Sequence, residues 1–185
     1  MTALDRLLQH WRIRLALRHI PAGSVVCDIG AYDGALFAIG RERIASGVAI
    51  DPELKALQAP RDAVRGVVGF FPEDLPDDRP FDVITALAVL EHIPPDAIQR
   101  LAQAVHQRLR EGGRFVVSSP MPFVDRILTV LTHLRLVHGM ALEQHYGLDP
   151  RIIPQLVASS GLELERTIRF QLGLNRLFVF RKPAT

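Results

Sequence analysis

The sequence predicts an α/β fold: a mostly parallel, seven-stranded sheet with helices on both faces and an antiparallel strand pair at the C-terminus. Two observations carry this. Between Ser24 and Ser119, short runs apolar at successive positions alternate with helical stretches, the pattern of parallel strands covered by helices on each side. Further on, "LELERTIRF" and "LNRLFVFRK" are separated only by "QLG", a link too short for a crossover, so these two runs pair antiparallel.

Residues 1–20 come first and read as an amphipathic helix, with Leu4, Leu7, Leu8, Trp11, Leu15 and His19 near helical spacing. Asp5, Arg12, Arg14 and Arg18 interrupt the segment, so it does not have the apolar stretch of a secretory leader. Ser24 to Ile29 is the first strand and Ala35 to Ile44 a helix. "GVAID" is the second strand, ending at Asp51, and Pro52 to Ala59 a short helix with proline in its first turn. "RGVVGF" is the third strand and "PEDLPDD" a proline-broken acidic loop. "FDVITALAVL" is the fourth strand, entering a turn at "EHIPP".

Asp96 to Arg110 is a helix with apolar positions at Ile98, Leu101, Ala102, Val105 and Leu109; "EGG" stops it and "RFVVSS" is the fifth strand. Phe123 to Leu142 reads as helix, and Asp149 to Ser160 as a helix closed by Gly161. No repeat or linker divides the chain, and residues 1–185 are expected to form one domain.

Composition narrows the function. Of 185 residues, 48% are apolar and 23% charged, ordinary for a globular protein. The net charge of +2 and the scattered arginines give no basic stripe for nucleic acid. No apolar run is long enough for a membrane span. The single cysteine, Cys27, lies within a strand and packs as core, which fits a reducing, cytoplasmic setting. No His, Cys or acid pair has metal-ligand spacing, so no metal is expected, and no G-x-S-x-G nucleophile appears.

The chemistry concentrates at "VVCDIGAYDG", Val25 to Gly34. In open α/β sheets ligands bind beyond the carboxyl ends of the strands, and glycine lets backbone approach them. Gly30 and Gly34 fit that role, or serve only a tight strand-to-helix turn. Asp51 ends the next strand about twenty residues on, where an acid accepts hydrogen bonds from ribose hydroxyls. It is equally suited to cap a helix starting at Pro52.

A dinucleotide and S-adenosylmethionine both place a ribose there. A dinucleotide wants G-x-G-x-x-G under its pyrophosphate. Here Tyr32 stands where the second glycine belongs, and Asp28 and Asp33 add charge that repels phosphate but suits a sulfonium and an ammonium. An NAD-linked oxidoreductase is therefore disfavoured.

These residues resemble a known family. "DIGAYDG", "VAID", "FDVITALAVLEHIPPD" and "LREGGRFVVSSP" are similar, in order and spacing, to motifs of class I S-adenosylmethionine-dependent methyltransferases. The third is closest to the ubiquinone-biosynthesis type of O-methyltransferase. In the fourth, Glu111 stands where a proline is usual. The resemblance covers Ser24 to Pro120 and implies a Rossmann-like fold. It also implies that Gly30, Ala31 and Gly34 lie against the cofactor's methionine portion, that Asp28 helps hold its amino end, and that Asp51 takes the ribose with Pro52 near the adenine. Phe71 occupies the place of an adenine-binding aspartate in many relatives, leaving Glu73, Asp74 and Leu75 as substitutes. Leu87 passes beneath the cofactor, and His92 sits at the same rim.

A methyl acceptor that must lose a proton needs a base. Glu91 and His92 after the fourth strand, and His145 and Tyr146 in "EQHYGLDP", are the candidates; His145 and His92 are the expected catalytic residues. The plainer reading makes Glu91 and His92 part of a packed turn and His145 a loop residue. Residues 121–147 are apolar enough to cover an acceptor, with Phe123, Ile127, Leu131, Leu134 and His138 on one face. Packing on the sheet, a dimer contact, or peripheral membrane contact with Arg126 and Arg135 toward headgroups are the other readings. The expectation is a small-molecule methyltransferase acting on oxygen, with no nucleic-acid partner. The rival is a non-catalytic cofactor- or partner-binding module of the same fold.

Overall fold

The computed structural model describes residues 3–57, 63–121 and 148–184. Five strands run parallel: β1 (Ser24–Ile29), β2 (Ile44–Asp51), β3 (Val64–Val68), β4 (Phe81–Leu87) and β5 (Leu109–Pro120). The last strand in sequence, β7 (Asn175–Arg181), enters antiparallel between β5 and β6 (Glu163–Phe170). The spatial order is β3-β2-β1-β4-β5-β7-β6. The chain builds outward from β1 to β3 and then returns to lay β4 against β1, so the order reverses between those two central strands. That reversal opens a crevice at their carboxyl ends.

The strand period of two divides the core into two layers. Val26, Val83, Val116 and Val179 face Ile13, Ala16 and Leu17 of helix α1 (Ala3–Leu17) and Leu36 and Phe37 of α2 (Ala35–Ile39). Cys27, Ile84, Phe115 and Phe180 face Ile98, Ala102 and Val105 of α3 (Pro95–Arg108) and Ile153 and Val157 of α4 (Ile153–Ala158). Helices thus cover both faces, as the pattern predicts. At the amino ends, Asp82 Oδ2 accepts from Val25 N at 2.7 Å while Oδ1 pairs with Arg110 at 2.7 Å, joining β1, β4 and β5. Lys182 Nζ donates to His106 O and Leu109 O at 2.9 and 3.0 Å, satisfying carbonyls left open by the end of α3.

Several elements differ from the expectation. The helix after the glycine loop stops at Ile39, not Ile44. A Cβ at Gly40 would meet Leu17 Cδ2 at 2.6 Å and Ile44 Cδ1 at 2.9 Å, so α1, α2 and β2 close on one another there and β2 starts at Ile44. No helix runs from Pro52 through Leu57: Asp51 Oδ1 takes Glu53 N at 2.7 Å and Lys55 N donates to Tyr32 O at 2.7 Å, so those amides bond outward. "EGG" does not separate helix from strand. Leu109 already pairs with Phe81, and the register shifts before Val83 pairs with Arg114, so the glycines form an irregularity inside β5.

The helix expected from Asp149 is broken. Asp149 caps a 3-10 turn, Pro150–Ile152, and Pro154, which lacks an N–H to bond back to Pro150, enters the first turn of α4. In α1 the sheet-facing residues are Ile13, Ala16 and Leu17, whereas Leu7 and Trp11 are 63% and 48% exposed. The longer apolar stripe is therefore not the buried one. The segment Phe123–Leu142 lies outside the described residues.

Candidate cofactor site

Alternation along β1 sets the first functional side chain. Cys27 and Ile29 point to the α3 side, so Asp28 points with Val26 toward α1. Asp28 is only 5% exposed, and its Oδ1 accepts from the fully buried Thr85 hydroxyl at 2.6 Å. Burial pushes its carboxyl from an ordinary 3.8 up to about 7; the Thr85 bond opposes the rise, and the negative charges of Asp51 and Asp33 add to it. Around neutrality this group gains from any cation placed beside it.

The chain then turns through residues of left-handed conformation. Gly30 has φ +73°, its N–H donates to Ile50 O at 2.9 Å, and a Cβ there would collide with Val89 Cγ2. Its bareness is thus required by the chain's own packing against the β4 exit as well as by any ligand. Tyr32 adopts φ +48°, which is uncommon for a bulky residue. It is held there by three contacts: its N–H donates to Asp51 Oδ2 at 3.0 Å, its carbonyl takes Lys55 N, and Lys55 Nζ lies 5.7 Å from its ring centre. Ala31 is buried, and Gly34, at φ +71°, packs against Leu57 and precedes α2.

Asp51 therefore braces the glycine loop. Each of its oxygens already accepts one backbone N–H, from Tyr32 and Glu53, and each keeps a lone pair for a hydroxyl. Gly69 N donates to Asp51 O at 3.2 Å, which brings the loop after β3 alongside. There Pro52, Glu73 and Asp74 are exposed, and Asp74 Oδ2 accepts from Phe70 N at 2.8 Å. Phe71 is buried in the α3-side core, with Leu75 packed against it. Part of this rim encloses a cavity of about 60 Å³ lined by Gln9, Arg12, Asp28, Gly30, Ala31, Tyr32 and Leu87, among others; Gly34, Asp51, Pro52, Glu73, Asp74 and Leu75 lie outside its lining. Of the expected site residues, Asp28, Gly30, Ala31 and Leu87 line this cavity together. Thr85, Gln9 and Arg12 were not anticipated. Thr85 lies in the fourth-strand run, one period-two step from Leu87, and that spacing was the available signal. Arg12 reads in the sequence only as a charge breaking an apolar segment. In the fold its Nε is sealed from solvent with no hydrogen-bond partner among the described residues. Burial draws its guanidinium below its usual range, while the charge of Glu91 acts in the opposite sense. A larger cavity, about 430 Å³, lies at the other end of the strands beside Val25, Ser46, Val64 and Phe81, away from the glycine loop.

His92 ends the 3-10 turn Leu90–His92 with its side chain exposed, while Glu91 beside it is buried. His145 and Tyr146 lie outside the described residues, as does all but Met121 of the expected cover segment. None of the described helices is long and apolar enough to cross a membrane.

Residues 2–166 match the family model described as a methyltransferase domain. No curated protein matches the chain. Among solved structures, one similar chain comes from the complex between the Haloferax volcanii Trm112 methyltransferase activator and a methyltransferase. It has a TM-score of 0.72 at 16% identity, covering 95% of this chain and 91% of that one. The N-methyltransferase NodS from Bradyrhizobium japonicum WM9 gives 0.61 at 16%, covering 97% of each. Human N-acetylserotonin methyltransferase, solved with S-adenosylmethionine, gives 0.60 at 21%, covering 86% of this chain and 48% of that one. With the family match spanning most of its length and the sheet ordered around an acid–glycine–acid crevice, the chain belongs to the methyltransferase-domain family, among the class I S-adenosylmethionine-dependent methyltransferases.

Proposed function

We propose that this chain binds S-adenosylmethionine between Asp28 and Asp51 and catalyses methyl transfer to an oxygen on a small molecule. The observation that carries the cofactor part is the buried Asp28, raised to about 7 and facing a cavity shared with Gly30 and Leu87. A carboxylate so desolvated is matched by an ammonium, and the free lone pairs of Asp51 suit a ribose diol. The residues present therefore fit the cofactor.

When bound, S-adenosylmethionine supplies a methyl group already activated by its sulfonium. The chain's own residues have the simpler tasks of orientation and water exclusion. Asp28 and Asp51 hold two ends of one ligand, with Gly30 keeping side-chain bulk away between them. Leu87 gives an apolar floor. On the acceptor side His92, exposed beyond β4, and His145 are the proposed bases for an acceptor hydroxyl.

The oxygen assignment rests on the likeness of Phe81 to Asp96 to O-methyltransferase motifs, and the small-molecule assignment on the near-neutral charge of +2. Calorimetric titration with S-adenosylhomocysteine, followed by labelled-methyl transfer to a panel of phenols, alcohols, carboxylates and amines, tests both parts. Labelling of hydroxyl acceptors is expected. Binding with no transfer to any acceptor favours the other reading, a cofactor-binding module. With a working acceptor, His145→Ala is expected to lower turnover about a hundredfold, as loss of a base does, and to leave S-adenosylhomocysteine affinity unchanged.

A further inference from the structure

The outward side of α1 is apolar. Ile13, Ala16 and Leu17 turn toward the sheet and are buried, yet Leu4, Leu7 and Trp11 are exposed. Their i, i+3 and i+7 spacing places them on one side of the helix. Trp11 lies two residues from Ile13, about 160° around the axis, so this side looks away from the sheet. Leu8 and Leu15, both half-buried, widen it at its edge. Arg14 and Arg18, also exposed, continue it seven residues on from Leu7 and Trp11. We propose that this side of α1 docks on a lipid bilayer that carries anionic headgroups. The proposal goes beyond the cofactor reading and does not depend on it.

A single exposed leucine is ordinary, but a continuous stripe of leucine and tryptophan is a contact surface. The residue types suit the boundary between headgroups and acyl chains. Leucines enter the acyl region, and a tryptophan ring sits at headgroup level. An arginine lays its apolar stem along the lipid while its guanidinium meets phosphate.

Charge selects the partner. The exposed ionic residues of α1 are Arg6, Arg14 and Arg18, and its one acid, Asp5, is half-buried. The whole chain carries only +2, so this is a local concentration of positive charge. A second copy of the chain would set Arg14 and Arg18 against a face of like charge, whereas anionic headgroups neutralise them. None of the described helices is long and apolar enough to cross a membrane, so the contact is peripheral.

The helix is held with this side outward. Gln171 Nε2 donates to Leu8 O at 2.8 Å, and Asn175 Nδ2 donates to Gln171 Oε1 at 2.7 Å. Leu172, the next residue, has φ +58° and is 96% exposed, so the turn that holds α1 also projects an apolar side chain into water. Gln9 and Arg12 of the same helix line the cavity beside Gly30. Docking through α1 therefore sets that wall about 10 Å, one helix diameter, from the lipid.

The experiment reads Trp11 directly, because it is the chain's one tryptophan. The full chain is mixed with vesicles of phosphatidylcholine alone, or of phosphatidylcholine with phosphatidylglycerol, and emission and co-sedimentation are followed together. The mixed vesicles are expected to blue-shift the emission and sediment the protein, both effects weakening as salt rises. Phosphatidylcholine alone is expected to bind about tenfold or more weakly. Leu7→Glu is expected to abolish both signals and leave the melting temperature unchanged, since Leu7 is exposed. Arg14→Glu combined with Arg18→Glu is expected to lower partitioning to the mixed vesicles about tenfold or more.

Absence of a shift in the wild type with the mixed vesicles overturns the proposal without any variant. Sedimentation with unchanged emission also overturns it, because another surface then holds the lipid. Equal partitioning to the two vesicle types overturns the anionic assignment and the proposal with it. A lipid-free shift that grows with protein concentration, together with a dimer in ultracentrifugation, overturns it in favour of contact between copies.

Discussion

Asp28 concentrates the site's electrostatics in one carboxyl. Its folded value, about 7, lies above the ordinary 3.8, so the proton it retains stabilises the free protein fully below about pH 4. That contribution is lost as pH rises through about 7. The melting temperature of the ligand-free protein should therefore fall between about pH 4 and 7, and Asp28→Asn should flatten the fall. A wild-type profile indistinguishable from that of the variant contradicts the burial argument. The same variant should weaken S-adenosylhomocysteine binding about tenfold or more, since the ammonium loses a charged acceptor.

Asp51→Ala should weaken binding by about 1–3 kcal/mol, the cost of hydroxyls left without an acceptor. It should also loosen the loop that Tyr32 N and Glu53 N tie to it. Unchanged calorimetric affinity in a folded variant removes the ribose assignment. Both acids and Gly30 were legible from the sequence because each ends or follows an apolar run. What was not legible is that Val89, far along the chain, forbids a Cβ at Gly30. A Gly30 variant therefore tests folding before it tests binding.

At the scale of elements, β1 runs over Ser24–Ile29 as its apolar run indicates, because a buried parallel strand is defined by local composition. Helix α1 was harder. Its exposed Leu4, Leu7 and Trp11 have helical spacing, yet the buried stripe is Ile13, Ala16 and Leu17. Which stripe faces the sheet is decided by where α1 is anchored, and the anchor, Gln171, lies near the opposite end of the sequence. The same holds for Pro52 to Leu57, where amides bond to Asp51 and Tyr32 in place of a helical ladder.

The anchor carries its own expectation. Gln171→Ala removes a buried side chain that bonds Leu8 O and Asn175, and should cost about 1–3 kcal/mol in chemical denaturation. It should also reduce cofactor affinity by letting the cavity wall at Gln9 and Arg12 move. A stability loss with no change in affinity shows that α1 does not shape the site.

Across the whole molecule, the sheet order places the candidate site residues. The reversal between β1 and β4 brings Asp28, Gly30, Thr85 and Leu87 to one rim, and pairing with β2 sets Asp51 beside them. This arrangement was inferable from alternating strands and helices, because parallel strands with right-handed crossovers leave few topologies. The contribution of the first helix was not, since it lines the cavity through Gln9 and Arg12 while being held at Leu8 O by Gln171, far along the sequence.

The central claim is that this crevice is an S-adenosylmethionine site. The most direct test is a calorimetric titration of the full chain with S-adenosylhomocysteine and, separately, with NAD. The account predicts saturable binding of S-adenosylhomocysteine, weakened by Asp51→Ala, and no heat of binding with NAD. Saturable NAD binding with no response to S-adenosylhomocysteine would contradict it.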